Sequence, residues 1–215
     1  MGYSAGAGTA NHNYNTYIGY QAGRQIQDDG NTALGYQTLT VATTANDNTA
    51  VGSESLQNNT SGYDNTAIGR IALNTNQTGA ANTACGSQAL RNNTVDNNTA
   101  VGYFSLKANT SGSHNTSVGS NSSLSNTTGV QNTAIGSRAL ESNVSGSRNT
   151  ACGYKALEDT GNGDDNTAVG YQALDDNNAS NNTAVGSAAL GLNTTGASNV
   201  AVGANALDAN TTASF

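Results

Sequence analysis

A short phrase, Asn-Thr-Ala-(Val/Ile)-Gly, returns twelve times along this chain at intervals of 16 or 17 residues. Its asparagines fall at Asn15, Asn31, Asn48, Asn65, Asn82, Asn98, Asn115, Asn132, Asn149, Asn166, Asn182 and Asn199. A glycine follows each of them four places on, from Gly19 to Gly203. Repetition this strict leaves few residues for any other architecture, because each unit must be satisfied by stacking on its neighbours. The chain is expected to be a stack of about 12 coils, with residues 1–14 as a lead-in coil and 15–215 as one repeat domain.

With each Asn as position 0, position 1 is Thr in every unit but the last, where it is Val200. Position 2 is Ala except at Tyr17 and Ser117, and position 3 is always aliphatic or Cys. Position 4 is always Gly, and position 8 is usually Leu, as at Leu39, Leu56 and Leu73. The seventh unit is irregular, its Leu124 arriving one residue late. Short segments bounded by Gly and Asn are strand-and-turn grammar, and helical repeats need about 33 residues per unit. The fold class predicted is all-β: a parallel β-solenoid with two short strands and two turns per coil. Gly at position 4 permits a bend at positive φ. Asn at position 0 tolerates left-handed backbone and can stack into a ladder of amides along one edge. Twelve coils at about 4.8 Å each would extend about 58 Å.

Composition enters here as a limit. Aromatic residues make up 5% and charged residues 10% of the chain, with no Trp or Pro, so an ordinary globular core is not expected. Disorder suits such a composition, but fixed apolar slots demand a register that disordered tracts do not need. The formal net charge of −7 disfavours nucleic acid as a partner. No apolar run reaches the roughly 18 residues that cross a bilayer, so membrane insertion is not expected. The first residues show no positive charge and no apolar core of a secretory signal, so release by lysis or assembly, or origin as a fragment, is expected.

Side chains alternate between the faces of a strand, so the adjacent apolar positions 2 and 3 cannot both point inward. One apolar column must therefore face outward. Larger side chains contribute more on burial, about 1.5–3 kcal/mol each, which favours Val/Ile and Leu inside and Ala outside. On that reading Ala33, Ala50, Ala67, Ala84, Ala100, Ala134, Ala151, Ala168, Ala184 and Ala201 form a close-packed oligomer interface. A thin coil also encloses few large side chains, and both points favour a homo-oligomer, most simply three chains around one axis.

The Asn-Thr-Ala-Val-Gly phrase, followed by Tyr-Gln-Ala-Leu (Tyr171-Gln172-Ala173-Leu174) and an Asn/Thr/Gly turn, resembles the head repeats of trimeric autotransporter adhesins. It is similar also to β-solenoid repeats of phage tail fibres. The resemblance covers about residues 11–210. It implies a left-handed parallel β-roll, three chains side by side, and a role in surface attachment. The coil is longer than the usual adhesin head unit, and no coiled-coil stalk, membrane anchor or C-terminal chaperone domain is expected in these residues.

Chemistry beyond architecture is sparse. His12 and His114 occupy different repeat positions and form no column, so His114 is read as a solvated turn residue. Cys85 and Cys152 share position 3 four coils apart, roughly 19 Å at the strand spacing, which is too far for a disulfide. They read as small buried hydrophobes. No catalytic set, nucleotide-binding glycine motif, cofactor site or metal set is expected, so the chain is not read as an enzyme. The late acids Glu158, Asp159, Asp164, Asp165, Asp175 and Asp176 do not recur per coil, and solvation accounts for them better than calcium. Asn-x-Thr sequons here follow from the repeat itself. Tyr20, Tyr36, Tyr103, Tyr154 and Tyr171 at position 5 are candidate ligand contacts, with mutual stacking as the competing reading.

Three functions fit a stack of coils. The first is a structural and attachment rod of a virion tail fibre or bacterial cell surface, a homotrimer contacting a host glycan or protein. The second is an ice-binding face of Thr and Val, open only if Ala packs inside. The third is a passive spacer in an extracellular filament.

Overall fold

The computed structural model describes residues 2–8 and 13–214. The chain divides into two units, Met1–Ser111 and Gly112–Phe215. Every regular element is a three-residue strand, and the described residues include no helix. The first unit holds β1 (Thr16–Ile18), β2 (Thr32–Leu34), β3 (Thr49–Val51), β4 (Thr66–Ile68), β5 (Thr83–Cys85) and β6 (Thr99–Val101). The second holds β7 (Thr116–Val118), β8 (Thr133–Ile135), β9 (Thr150–Cys152), β10 (Thr167–Val169), β11 (Thr183–Val185) and β12 (Val200–Val202).

Within each unit, successive strands pair in parallel with the repeat in register. Thr49 lies on Thr66, Ala50 on Ala67 and Val51 on Ile68, and Thr167, Ala168 and Val169 lie on Thr183, Ala184 and Val185. Each unit is a parallel β-solenoid. One strand per coil is present, not the two expected. The rest of the coil is a run of tight turns whose amides bond to the next coil, as Leu56 N–H does to Ala72 O and Thr60 N–H to Gln77 O.

The corners come from residue chemistry. Position-4 glycines adopt φ between 123° and 143°, which side-chain-bearing residues rarely reach. A Cβ on Gly69 would lie 2.5 Å from the carbonyl oxygen of Gly86, so the next coil also occupies the space. Left-handed φ recurs at positions 6 and 8 and at the residue before each Asn, as in Ile71 (59°), Leu73 (50°) and Asp64 (54°). The Asn of position 0 is not itself among the left-handed residues; its side chain serves the ladder below.

The core overturns the expected parity. Ala33, Ala50, Ala67, Ala84 and Ala100 in the first unit are fully buried inside the chain, as are Ala134, Ala151, Ala168 and Ala184 in the second, with Ala201 at 3% exposure. They are packed against the Leu column of position 8 and therefore offer no surface to another chain. The reason is volume. In the first coil Tyr17 replaces Ala at position 2 and Gly23 replaces Leu at position 8, and a Cβ on Gly23 would lie 2.3 Å from the Tyr17 ring. Positions 2 and 8 share one narrow interior, which holds one large side chain per coil rather than two. The seventh coil carries Ser117 and Ser123 in those two positions, both buried, while Leu124 stays half-buried.

Candidate interaction face

With Ala turned inward, position 3 becomes the outward column. Ile18 is 49% exposed, Leu34 42%, Ile68 41% and Ile135 45%, and the valines from Val101 to Val185 lie near 37%. Cys85 is half-buried, Cys152 is exposed and both are free thiols, which corrects their expected burial. Position 1 shares this face, since i and i+2 project to one side of a strand. Each unit therefore presents a sheet face of two parallel columns, Thr beside Val, Ile, Leu or Cys.

The Thr hydroxyls of this face make no hydrogen bond to another described residue. Thr in the turns behaves differently: Thr60, Thr94 and Thr194 each donate to a carbonyl of the next coil, at 2.9, 2.7 and 2.8 Å. The outward Thr hydroxyls thus remain available to water or to a partner, beside apolar side chains that solvation does not favour.

A pair of internal asparagine ladders ties successive coils of each unit together. Within each unit the side-chain oxygen of one position-0 Asn accepts the backbone N–H of the next: Asn65 bonds to Asn48 and Asn82 to Asn65, both at 3.0 Å. The second unit repeats this from Asn132 through Asn199 at 2.9 Å. The amide nitrogens donate to carbonyls of the turn that closes the same coil, as from Asn65 to Gly79 O and Asn149 to Gly163 O, both at 2.8 Å. The ladder is buried rather than exposed along an edge. A second ladder escaped the sequence reading. Asn59, Asn76, Asn93, Asn126, Asn143, Asn177 and Asn193 recur at position 11, and Asn143 donates to Asn126 at 2.8 Å and Asn193 to Asn177 at 2.7 Å. Its signal was present in the same period as the first, hidden among many surface asparagines.

The tyrosines of position 5 chiefly serve one another. Tyr20 and Tyr36 stack at 5.3 Å between ring centroids, and Tyr3 extends that stack at 5.7 Å. Tyr154 and Tyr171 stack at 5.6 Å, whereas Tyr103 stacks on Phe104 at 3.9 Å with Lys107 over the Phe ring. Stacked rings expose edges and hydroxyls, so an open ring face remains only where a stack stops.

Titratable groups are arranged for structure. Glu158 is buried and paired with both Arg138 and Lys155, and it raises the pKa of Lys155 through a hydrogen bond. The Arg148 guanidinium holds the Asp165 carboxyl below its ordinary range. Burial, with Glu158 nearby, pushes Asp175 up to about 6. Asp175 borders a hollow of about 270 Å³ with Asp176, Asp208 and Leu192. Burial also raises the Tyr17 phenol. His114 lies exposed in a turn beside the Ser113 hydroxyl, and His12 lies outside the described residues. Among the described residues no three His, Cys, Asp or Glu side chains are placed to hold a metal ion, and no helix is long and apolar enough to cross a membrane.

Comparison with known proteins returns no matching family model, no matching curated protein and no matching solved structure. The resemblance to adhesin heads and tail fibres therefore stands on the repeat phrase alone.

Proposed function

We propose that this chain is a structural and attachment module, a homotrimeric β-solenoid of a phage tail fibre or a bacterial surface adhesin that contacts a host surface. The observation carrying this reading is the outward aliphatic column of position 3. A regular row of exposed Ile, Leu and Val on an in-register parallel sheet marks an interaction surface, and a self-repeating row is best matched by another copy of itself. Its residues vary in size from Cys to Leu, which suits packing against a conforming partner. Light scattering tests it: a mass of about 65 kDa, three times the 21.5 kDa chain, is expected. A mass of 21.5 kDa would contradict it.

The unpaired Thr hydroxyls favour one second reading. With Ala inside, a flat array of Thr and Val stands free to order water, as an ice-binding face requires. Thermal hysteresis from a monomeric sample would select this function, and none from a trimer would exclude it.

A further inference from the structure

In the first unit the aromatic stack stops abruptly. Position 5 runs Tyr20, Tyr36, Ser53 and Arg70 in successive coils, and the column is fixed by amides that bond to those residues' carbonyls. Gln37 N–H bonds to Tyr20 O at 2.9 Å, Glu54 N–H to Tyr36 O at 2.8 Å and Ile71 N–H to Ser53 O at 2.9 Å. One face of the Tyr36 ring lies on Tyr20, and the next residue of the column on the other side is the short Ser53. Tyr36 is 49% exposed, and Arg70 is exposed with no ion pair among the described residues.

Two coil steps separate Tyr36 from Arg70, about 10 Å at the strand spacing. A ring stacked on Tyr36 needs about 4 Å to its own mean plane, which leaves about 6 Å to the level of Arg70. The slot is one saturated ring thick. Its chemistry is also specific. Along this column Tyr36 offers an apolar, electron-rich face, Ser53 a hydroxyl and Arg70 a donor fork, and Glu54, next in sequence to Ser53, offers a carboxylate acceptor. A hexopyranose matches all four, with an apolar C–H face for the tyrosine and vicinal hydroxyls for the carboxylate and guanidinium.

We propose that Tyr36, Ser53, Glu54 and Arg70 form a binding subsite for one neutral hexopyranose unit of a surface glycan. The subsite deepens the attachment reading and takes its biological sense from it, but it lies wholly within one chain's first unit. Position 5 follows the Gly corner and leaves the sheet face, so a sister chain on that face does not cover it.

The test titrates the methyl glycosides of glucose, mannose and galactose into the full chain and follows the tyrosine ring signals by NMR. With no Trp present, tyrosine fluorescence gives a second readout. At least one glycoside is expected to bind in the millimolar range and to shift Tyr36. Ser53→Tyr, which continues the existing stack and fills the slot, is expected to abolish binding while leaving the fold and the solution mass unchanged. Arg70→Ala is expected to weaken binding at least fivefold. A polysaccharide carrying the same sugar should bind more tightly than the methyl glycoside. Silence from all three glycosides, or binding unaffected by Ser53→Tyr, overturns the subsite. A monomeric mass would overturn the trimer and leave the titration standing, so the two failures are distinguishable.

Discussion

At position 2 the interior accepts little beyond alanine, because the Leu of position 8 already fills the narrow coil. Ala67→Val is therefore expected to destabilise the first unit by about 1–3 kcal/mol in urea unfolding, through overpacking. Val51→Thr on the outward column should leave the unfolding of an isolated chain nearly unchanged. Equal losses from both would show that the parity is wrong. Gly69→Ala meets both a φ of 134° and the Gly86 carbonyl, and a loss of at least about 3 kcal/mol is expected. Ile71 is the opposite case, a β-branched residue held at φ 59°. Since such residues are strained there and Asn is not, Ile71→Asn should raise stability by about 1 kcal/mol. Asp175 carries a pH signature. Its folded value near 6 lies above the ordinary 3.8, so the folded chain takes up this proton first as pH falls. The second unit should gain stability as pH falls from 7 towards 4, and Asp175→Asn should remove that increment. A loss of stability confined to Asp175 over this window would contradict the assignment.

The element that specifies the coil is less the three-residue strand than the two ladders beside it. Asn65→Ala removes the acceptor for Asn82 N–H and one of the two donors to Gly79 O, leaving the buried N–H unpaired while Asn76 still donates to the carbonyl. A cost of about 1–3 kcal/mol follows, and hydrogen exchange should rise at Asn82 before it rises elsewhere. In the seventh coil Ser117 and Ser123 leave the shared volume short of apolar side chains. Ser123→Leu restores the position-8 leucine of the other coils beside Ser117 and should stabilise the second unit by about 1–2 kcal/mol. At this scale the sequence was legible in part. The period, the Gly corner and the Leu column follow directly from spacing and residue type. The parity does not, because two adjacent apolar columns can be assigned either way by burial area alone. The deciding signal was the paired exchange of Ala for Tyr17 and Leu for Gly23, which only makes sense if both positions compete for one space. The second strand expected in each coil is absent, and left-handed φ at positions 6 and 8 interrupts any extended run there. A propensity for extended backbone cannot be realised there.

For the molecule as a whole, the reversal of parity moves the proposed oligomer face from the alanines to the position-3 column. Alanine can no longer shield anything, and Ile, Leu and Val take its place on the outside, a larger apolar surface than the one first expected. Substitution with Lys at Val169 and Val185 together should release monomers that keep their circular dichroism, since neither side chain supports the interior. Unfolding in place of dissociation would place these residues in a core. The tyrosines remained ambiguous in sequence because a column of rings serves stacking and binding alike until its ends are located. The most direct test uses the two thiols that the chain itself places in the outward column. If sister chains cover that face, Cys85 and Cys152 in the native assembly should react with a water-soluble thiol reagent at least tenfold more slowly than in urea-dissociated chains. Native thiols that label as fast as free cysteine, in a particle of one chain, would show that water is all that ever meets the column.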